Sequence, residues 1–322
     1  MTAPFARMAV IGLGLLGGSV ALAARRAGVV RHIVATGRRR APLDRALAEG
    51  IVDEVADIPG AVRGADLVVL GTPVGHMQGV LEEAAPHLAE GALVTDVGSV
   101  KGMLADRLSG VVPAGVDYVG AHPMAGSHLR GVAHARADLF DGASCIVTPL
   151  PTTERAATQR VIDFWRALGA RVSERDPVQH DAEVAWVSHL PHVLAFAFAR
   201  ALERAPRGAG ELAGSGFRDF TRIAHSDTSM WGEILHENRK ALAGPLQAFA
   251  SSLEELASAL ESGDAEARDH FLESAHNALT AVTSAAETER DGPKEAPSGG
   301  TNPEIKAGQK GPADPRSVEN DQ

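Results

Sequence analysis

Over the first half of the chain, short aliphatic runs alternate with stretches of helical periodicity. Met8–Gly12, His32–Thr36, Ala65–Leu70, Ala92–Thr95, Tyr118–Ala121 and Ala143–Val147 are apolar nearly throughout and bounded by Gly, Asp or Pro. Runs of this kind predict strands covered on both faces. Between them the spacing predicts helices over Leu15–Ala27, Pro42–Ala48, Met77–Leu88 and Gly102–Leu108. A further helix–strand pair follows at Glu154–Leu168 and Ala170–Ser173. Strand–helix alternation implies a doubly wound, mostly parallel sheet.

After Pro177 the strand signals stop. Pro177–Leu202, Asp227–Leu260 and Asp264–Ala286 carry 3.6-residue periodicity rich in Ala and Leu. A kink is expected at Pro191, where a backbone donor is missing, and the second segment bears an internal Gly244-Pro245. Ser262-Gly263-Asp264 reads as a stop followed by an N-cap. The expected fold class is therefore α/β followed by all-α: a Rossmann-type domain at 7–176, then a helical domain at 177–290. Long apolar helix faces need a partner surface, so a homodimer is expected through the helical domain. From Gly292 to Gln322 there are five Gly, five Pro and only Ile305 and Val318 as large aliphatics. Such a segment cannot bury enough surface to offset its ordering entropy, so 291–322 is expected to be a disordered tail.

Composition narrows the function classes. The single Cys145 excludes a disulfide framework and a cysteine-based zinc or iron–sulfur site. A net charge of -10 argues against broad nucleic-acid binding. No uninterrupted apolar run of roughly 18 residues or N-terminal signal pattern is visible, so a cytoplasmic protein without a membrane span is expected. Residues 292–322 carry four Lys/Arg and five Asp/Glu, so almost all of the negative charge lies on the folded body. Such a body must concentrate positive charge locally to bind anions.

Gly12-Leu13-Gly14-Leu15-Leu16-Gly17 directly follows the first strand and opens the first helix. The first glycine allows a tight turn, the second a close approach of backbone to a pyrophosphate, and the third close helix–strand packing. The helix N-terminus adds free N–H groups and a positive dipole end. After the second strand comes Gly37-Arg38-Arg39-Arg40, with no acid before Asp44. Arg38 and Arg39 suit a 2′-phosphate better than a ribose hydroxyl, which favours NADP over NAD. Thr72 and Pro73 close another strand over the same crevice, and Asp96-Val-Gly-Ser99-Val-Lys101 follows the next. His122, at the end of a strand beside Gly120 and Gly126, is placed to take a hydroxyl proton, with Ser99 as its hydrogen-bond partner.

In the helical half, Ser188-His189-Leu-Pro-His192 sets polar groups three and four apart on one helix face. His189-x-x-His192 lacks a convincing set of further ligands, so no metal is expected. Arg218 and Arg222 lie four apart on a short helix. Asp219 is expected to pair with one, leaving Arg222 for a substrate carboxylate. Trp231 follows and, taken alone, would sooner be core than site.

Gly12–Gly17, Asp96–Lys101, His122–Gly126, Ser188–His192 and Gly216–Ala224 together resemble the prephenate/arogenate dehydrogenase family of tyrosine biosynthesis. The likeness spans about residues 7–285 and implies a 6-phosphogluconate-dehydrogenase-like pairing of Rossmann and helical domains. It implies oxidative decarboxylation of prephenate to 4-hydroxyphenylpyruvate, or of arogenate to tyrosine, with hydride passing to NAD(P)+. It further implies that His122 accepts the hydroxyl proton, Ser99 orients the hydroxyl and the nicotinamide, and Arg222 binds a carboxylate. Ser188, His189, His192, Arg218 and Trp231 would line the pocket. Two features depart from the family pattern: the absent acid after the second strand, and Arg218 where several relatives carry lysine. With eleven residues before Gly12, no N-terminal mutase domain is expected, and tyrosine inhibition would act within the two-domain body. Another two-domain NADP-dependent reductase would leave His122-Pro-Met-Ala-Gly126 and Arg222 unexplained, and a cofactor sensor would need no proton acceptor.

Overall fold

The structure, a computed structural model, describes residues 4–126 and 129–290. The segment 291–322, expected as a tail, lies outside the described residues. Eight strands form one sheet: β1 (Phe5–Ile11), β2 (Val30–Thr36), β3 (Glu54–Val55), β4 (Leu67–Leu70), β5 (Leu93–Asp96), β6 (Asp117–Pro123), β7 (Ser144–Thr148) and β8 (Arg171–Glu174). Their order is β3-β2-β1-β4-β5-β6-β7-β8, parallel throughout except for the antiparallel β6–β7 pair.

Both faces of the sheet are buried, which is why the strands read as apolar runs rather than alternating patterns. Met8, Val10, Leu67 and Val69 point into one core, shared with Phe164, Trp165 and Val161 of the helix after β7. Their neighbours Ala9, Ile11, Val68 and Leu70 point into a second core with Met77, Leu81 and Leu104.

The covering helices are α1 (Leu15–Ala27), α2 (Arg40–Ala48), α3 (Ile58–Val62), α4 (Val74–Ala84), α5 (Gly102–Ser109) and α6 (Arg155–Ala167). Helices α7 (Pro177–Val184), α8 (Leu190–Ala201), α9 (Ser215–Thr221), α10 (Thr228–Glu237), α11 (Arg239–Ser262) and α12 (Ala265–Arg290) follow. The short β3 and α3 carry too few residues to show a period and were not anticipated. The expected helix Met77–Leu88 starts earlier, at Val74, and its last turn tightens at Ala85–His87, where Pro86 intervenes.

Three expectations for the helical half change. The run from Pro177 is disturbed upstream of Pro191, by a π-helical turn at Ala185–His189. The proline ring would collide with the carbonyl four residues back, at Val187, and widening that turn relieves the clash. The expected helix Asp227–Leu260 is divided at Asn238, whose buried side chain is used in tertiary hydrogen bonds, while Pro245 sits inside α11. Finally, Pro177–Arg204 reaches a mean hydropathy of 1.2 over an 18-residue window, so by length and composition alone it could cross a membrane. The run is interrupted by His180, Asp181, His189 and His192, all hydrogen-bonded in the fold, which an inspection for uninterrupted apolar runs does not average over.

The described residues divide into two compact units, one ending at Ser252 and the other beginning at Leu253, so the sheet and helices α7–α10 belong to one body. In the second unit, Asp264 caps α12 by accepting from the Ala267 N–H at 3.0 Å.

Candidate active site

The order of strands reverses between β1 and β4, and a cleft of about 390 Å³ opens there, with Gly14, Leu15, Thr72, Pro73 and Ser99 in its walls. Gly12 has φ +99°, and a Cβ on it would meet Gly71 C and Thr72 N at 2.7 Å. A Cβ on Gly17 would meet the Gly12 carbonyl oxygen at 2.3 Å, whereas one on Gly14 would meet nothing within 4 Å. Two glycines are therefore required by the fold, and the third leaves open space over the N-terminus of α1, which has no side-chain cap. The Thr72 hydroxyl, in the cleft wall, is buried with no hydrogen-bond partner among the described residues. An uncapped helix end, a bare backbone and an orphaned hydroxyl together fit a phosphate-bearing dinucleotide. Leu13 contributes only backbone here, because its side chain is buried in the core.

Arg40 is paired with Asp44 at 2.7 Å, while Arg38 and Arg39 are exposed and make no ion pair among the described residues. The nearby acids are already engaged: Asp53 with Arg25, and Glu54 with Arg7 and His32.

The loop carrying Ser99 rests on a fully buried ion pair. Lys101 Nζ lies 2.7 Å from Asp96 Oδ1 and also donates to the Gly98 and Val100 carbonyls, at 2.7 and 3.2 Å. Asp96 also accepts from the Gly98 N–H at 2.6 Å and the Tyr118 hydroxyl at 2.7 Å. Burial, and then the Asp96 charge, push the Tyr118 phenol well above its ordinary range.

A chain of buried imidazoles begins on β6. His122 on β6 is 6% exposed, and its Nδ1 is 2.8 Å from His180 Nε2 on α7. His180 Nδ1 is in turn 2.8 Å from Asp181 Oδ1. Asp181 also accepts from the backbone N–H groups of Lys101 and Gly102, at 2.7 and 2.8 Å. Asn238 Nδ2 lies 2.9 Å from the Asp181 carbonyl and 2.8 Å from His189 Nδ1. Burial first of all, with the nearby Lys101 ammonium acting in the same direction, holds His122 well below the ordinary histidine range. Burial also lowers His180, and it takes His189 down to about 4. Burial pushes the Asp181 carboxyl up, but its His180, Lys101 and Gly102 donors outweigh that and leave it low.

His192 stacks on Trp231, ring centroids 3.7 Å apart, and its Nδ1–H donates to the Ser188 carbonyl at 2.9 Å. Burial first, and the Arg222 charge last, lower its pKa. Trp231 is thus a core residue, 6% exposed, whose ring also packs against His192. Arg218 donates to the Ala213 carbonyl at 2.8 Å rather than to Asp219, and both arginines are exposed, so water removes the need for a partner acid.

The cleft reaches Ala125 and Gly126, just beyond His122, but neither His122 nor Ser188, His189, His192, Arg218, Arg222 or Trp231 is among its described lining residues. Sequence reasoning assigned no role to His180, Asp181 or Asn238. A signal existed for the first two: Pro177, His180, Asp181 and Val184 share one buried helical face, where a charged residue needs a reason.

Residues 20–174 match the family model for the prephenate dehydrogenase nucleotide-binding domain, and residues 176–277 that for its dimerization domain. A prephenate dehydrogenase of Bacillus subtilis (strain 168) is 34% identical over 260 residues, covering 79% of this chain and 70% of that protein. A cyclohexadienyl dehydrogenase of Zymomonas mobilis is 35% identical over 276 residues, covering 84% of this chain and 94% of that one. The crystal structure of Aquifex aeolicus prephenate dehydrogenase with hydroxyphenyl propionate and NAD+ superposes with a TM-score of 0.80 at 31% identity, covering 86% of this chain and 98% of that chain. With two family models spanning most of its length and relatives matched across both halves, the chain belongs to the prephenate dehydrogenase family.

Proposed function

We propose that this chain oxidises prephenate with loss of CO2, using NADP+ in preference to NAD+ as hydride acceptor. The observation that carries the reading is a buried imidazole, His122, at the C-terminal end of a sheet strand beside a cleft built to take a dinucleotide. His122 takes the ring hydroxyl proton, and Ser99 orients that hydroxyl. The same proton returns to the oxygen as the ring aromatises, so the imidazole is regenerated within one turnover. When bound, the nicotinamide supplies the acceptor for the hydride leaving the hydroxyl-bearing carbon. Gly14 and the N-terminus of α1 hold its pyrophosphate, Thr72 and Pro73 line its crevice, and Arg38 and Arg39 hold the 2′-phosphate. Arg222 faces a substrate carboxylate, with Ser188, His189, His192, Arg218 and Trp231 forming the surrounding wall.

Of the two carboxylates bordering the cleft, Asp227 is paired with Arg130 while Glu233 accepts only the Gly75 N–H; the pairing of Asp227 favours prephenate over the ammonium-bearing arogenate. A homodimer through the helical half accounts for the exposed Leu260, Leu272, Leu279 and Val282 on α11 and α12. Sedimentation of the intact chain at assay concentration should give twice the monomer mass.

An absorbance assay crossing prephenate and arogenate with NADP+ and NAD+ tests the function. Prephenate with NADP+ should give the highest kcat/KM. Replacing Arg38 and Arg39 with serine should move the cofactor ratio toward NAD+ by roughly 10- to 100-fold, the value of one or two charge-assisted contacts. No reduction in any combination would overturn the enzyme reading, and a wild-type preference for NAD+ would overturn the arginine argument alone.

A further inference from the structure

Building on the dehydrogenase reading, we propose that His180, Asp181 and Asn238 are positioning residues that hold two site imidazoles in opposite tautomers. His122 is kept with a bare Nε2 that accepts a proton, and His189 with an Nε2–H that donates one.

Asp181 anchors the network. Its Oδ1 faces the Lys101 N–H at 2.7 Å and its Oδ2 the Gly102 N–H at 2.8 Å. Backbone amides only donate, and both sit at the N-terminal end of α5, so the group there is an acceptor carboxylate. His180 Nδ1, 2.8 Å from Oδ1, must then carry a hydrogen. In neutral His180 this leaves a lone pair on Nε2. His122 Nδ1, 2.8 Å away, must donate to it, which leaves His122 Nε2 bare. His180 is neutral because it is buried and because Lys101 stands nearby, with the Asp96 and Asp181 carboxylates too weak to offset both effects.

The second branch also starts at Asp181, from its main chain. The side-chain atom of Asn238 that lies 2.9 Å from the Asp181 carbonyl must be the NH2 group, because a carbonyl can only accept. The other hydrogen of that NH2 points at His189 Nδ1, 2.8 Å away, which must be a lone pair. Neutral His189 therefore carries its hydrogen on Nε2. That nitrogen is buried and has no hydrogen-bond partner among the described residues. A buried donor without an acceptor is costly and is retained where a ligand oxygen completes it. One residue, Asp181, thus sets one imidazole to accept and the other to donate. A misplaced tautomer at His122 would present an N–H to the substrate hydroxyl and could take no proton.

Long-range 1H–15N spectra of the full-length protein labelled with 15N-histidine, without substrate and above pH 7, read the tautomers directly. The signals missing in H122A and H189A assign the two rings. His122 should show a protonated Nδ1 and a bare Nε2, and His189 the reverse. This measurement requires no turnover, so a protein inactive on every substrate would refute the dehydrogenase reading and leave the tautomer result standing.

Two substitutions then test the role in the reaction. In H180Q the amide oxygen can still accept from His122 Nδ1, whereas H180L offers nothing. H180L should lose about 10²-fold or more in kcat at unchanged KM for the cofactor, and the acid limb of its rate profile should move to lower pH. H180Q should retain kcat within about tenfold and keep the limb in place. His122 protonated at Nε2 in the wild type overturns the proposal. So does a folded H180Q as impaired as H180L, or an H180L with near wild-type kcat and an unmoved limb. If H180L does not fold, the wild-type spectra decide.

Discussion

Replacing Lys101 with methionine tests whether the loop that presents Ser99 is held electrostatically. Methionine is close in length and apolar, so little cavity is left and the effect falls on charge and hydrogen bonding. The ammonium makes three hydrogen bonds, and both it and the Asp96 carboxylate are 0% exposed. Removing one partner of a buried pair typically costs about 3–5 kcal/mol, because the other charge is stranded. Here Asp96 keeps the Gly98 N–H and the Tyr118 hydroxyl, which lowers that cost, while the Gly98 and Val100 carbonyls lose a donor, which raises it. We therefore expect about 3–5 kcal/mol, or a melting temperature lower by roughly 6 to 20 °C at about 2–4 °C per kcal/mol for a body of this size. Thermal unfolding followed by circular dichroism measures it. The D96N/K101M double variant removes both charges and should be more stable than K101M alone, because a neutral pair leaves no stranded carboxylate. A K101M protein melting within 2 °C of the wild type, or a double variant whose loss is the sum of the singles, would refute the reasoning.

The two glycines of the first turn should separate folding from binding. Gly14→Ala meets no atom within 4 Å, so it should melt with the wild type yet raise the cofactor Kd about tenfold or more, by filling the space over the backbone. Gly17→Ala places a Cβ 2.3 Å from the Gly12 carbonyl and should destabilise by about 1–3 kcal/mol; equal melting of the two variants would contradict this. Acid should weaken the fold in a defined window. Burial first of all holds His189 at about 4 against an ordinary 6.5, so the unfolded chain binds a proton that the folded chain refuses. That contribution, about 3 kcal/mol, is fully present above pH 6.5 and is lost as the pH falls toward 4; His122 and His180 act in the same direction. A melting temperature that is flat between pH 6.5 and 4 would count against the buried neutral imidazoles.

The sheet was legible because burial on both faces leaves a signature that one sequence can carry. Ile11, Leu70 and Val94 are apolar and so are their opposite-facing neighbours, and Gly12, Gly71 and Asp96 mark where the strands end. The glycine turn was legible for a related reason: only a missing Cβ fits between Gly12 and Gly71, or between Gly17 and Gly12, so the residue type is dictated locally. Features that depend on distant partners were not legible. Nothing near Asn238 in the chain shows that its amide will bridge Asp181 and His189, and that bridge coincides with the division of one expected helix into two. Likewise the disturbance that Pro191 signals falls one turn before it, at Ala185–His189, because the clash is with the carbonyl behind the ring.

The same distinction explains why His122 can be proposed from the sequence and His180 cannot. A proton acceptor must stand where strand ends meet a crevice, and Gly120, Pro123 and Gly126 mark that place in the sequence. The residue that sets its tautomer can come from any element packed behind it, here a helix 58 positions later in the chain. Only the periodicity of α7 carries a trace of it: a histidine and an aspartate where the spacing from Pro177 to Val184 calls for apolar residues. Burying such a pair costs free energy unless every donor and acceptor is matched. Asp181 spends its two carboxylate oxygens on three N–H groups and its carbonyl on a fourth, and His180 uses both ring nitrogens. The buried polar atom of this network left without a partner among the described residues is Nε2 of His189, and its unmet donor is the group a bound oxygen would complete.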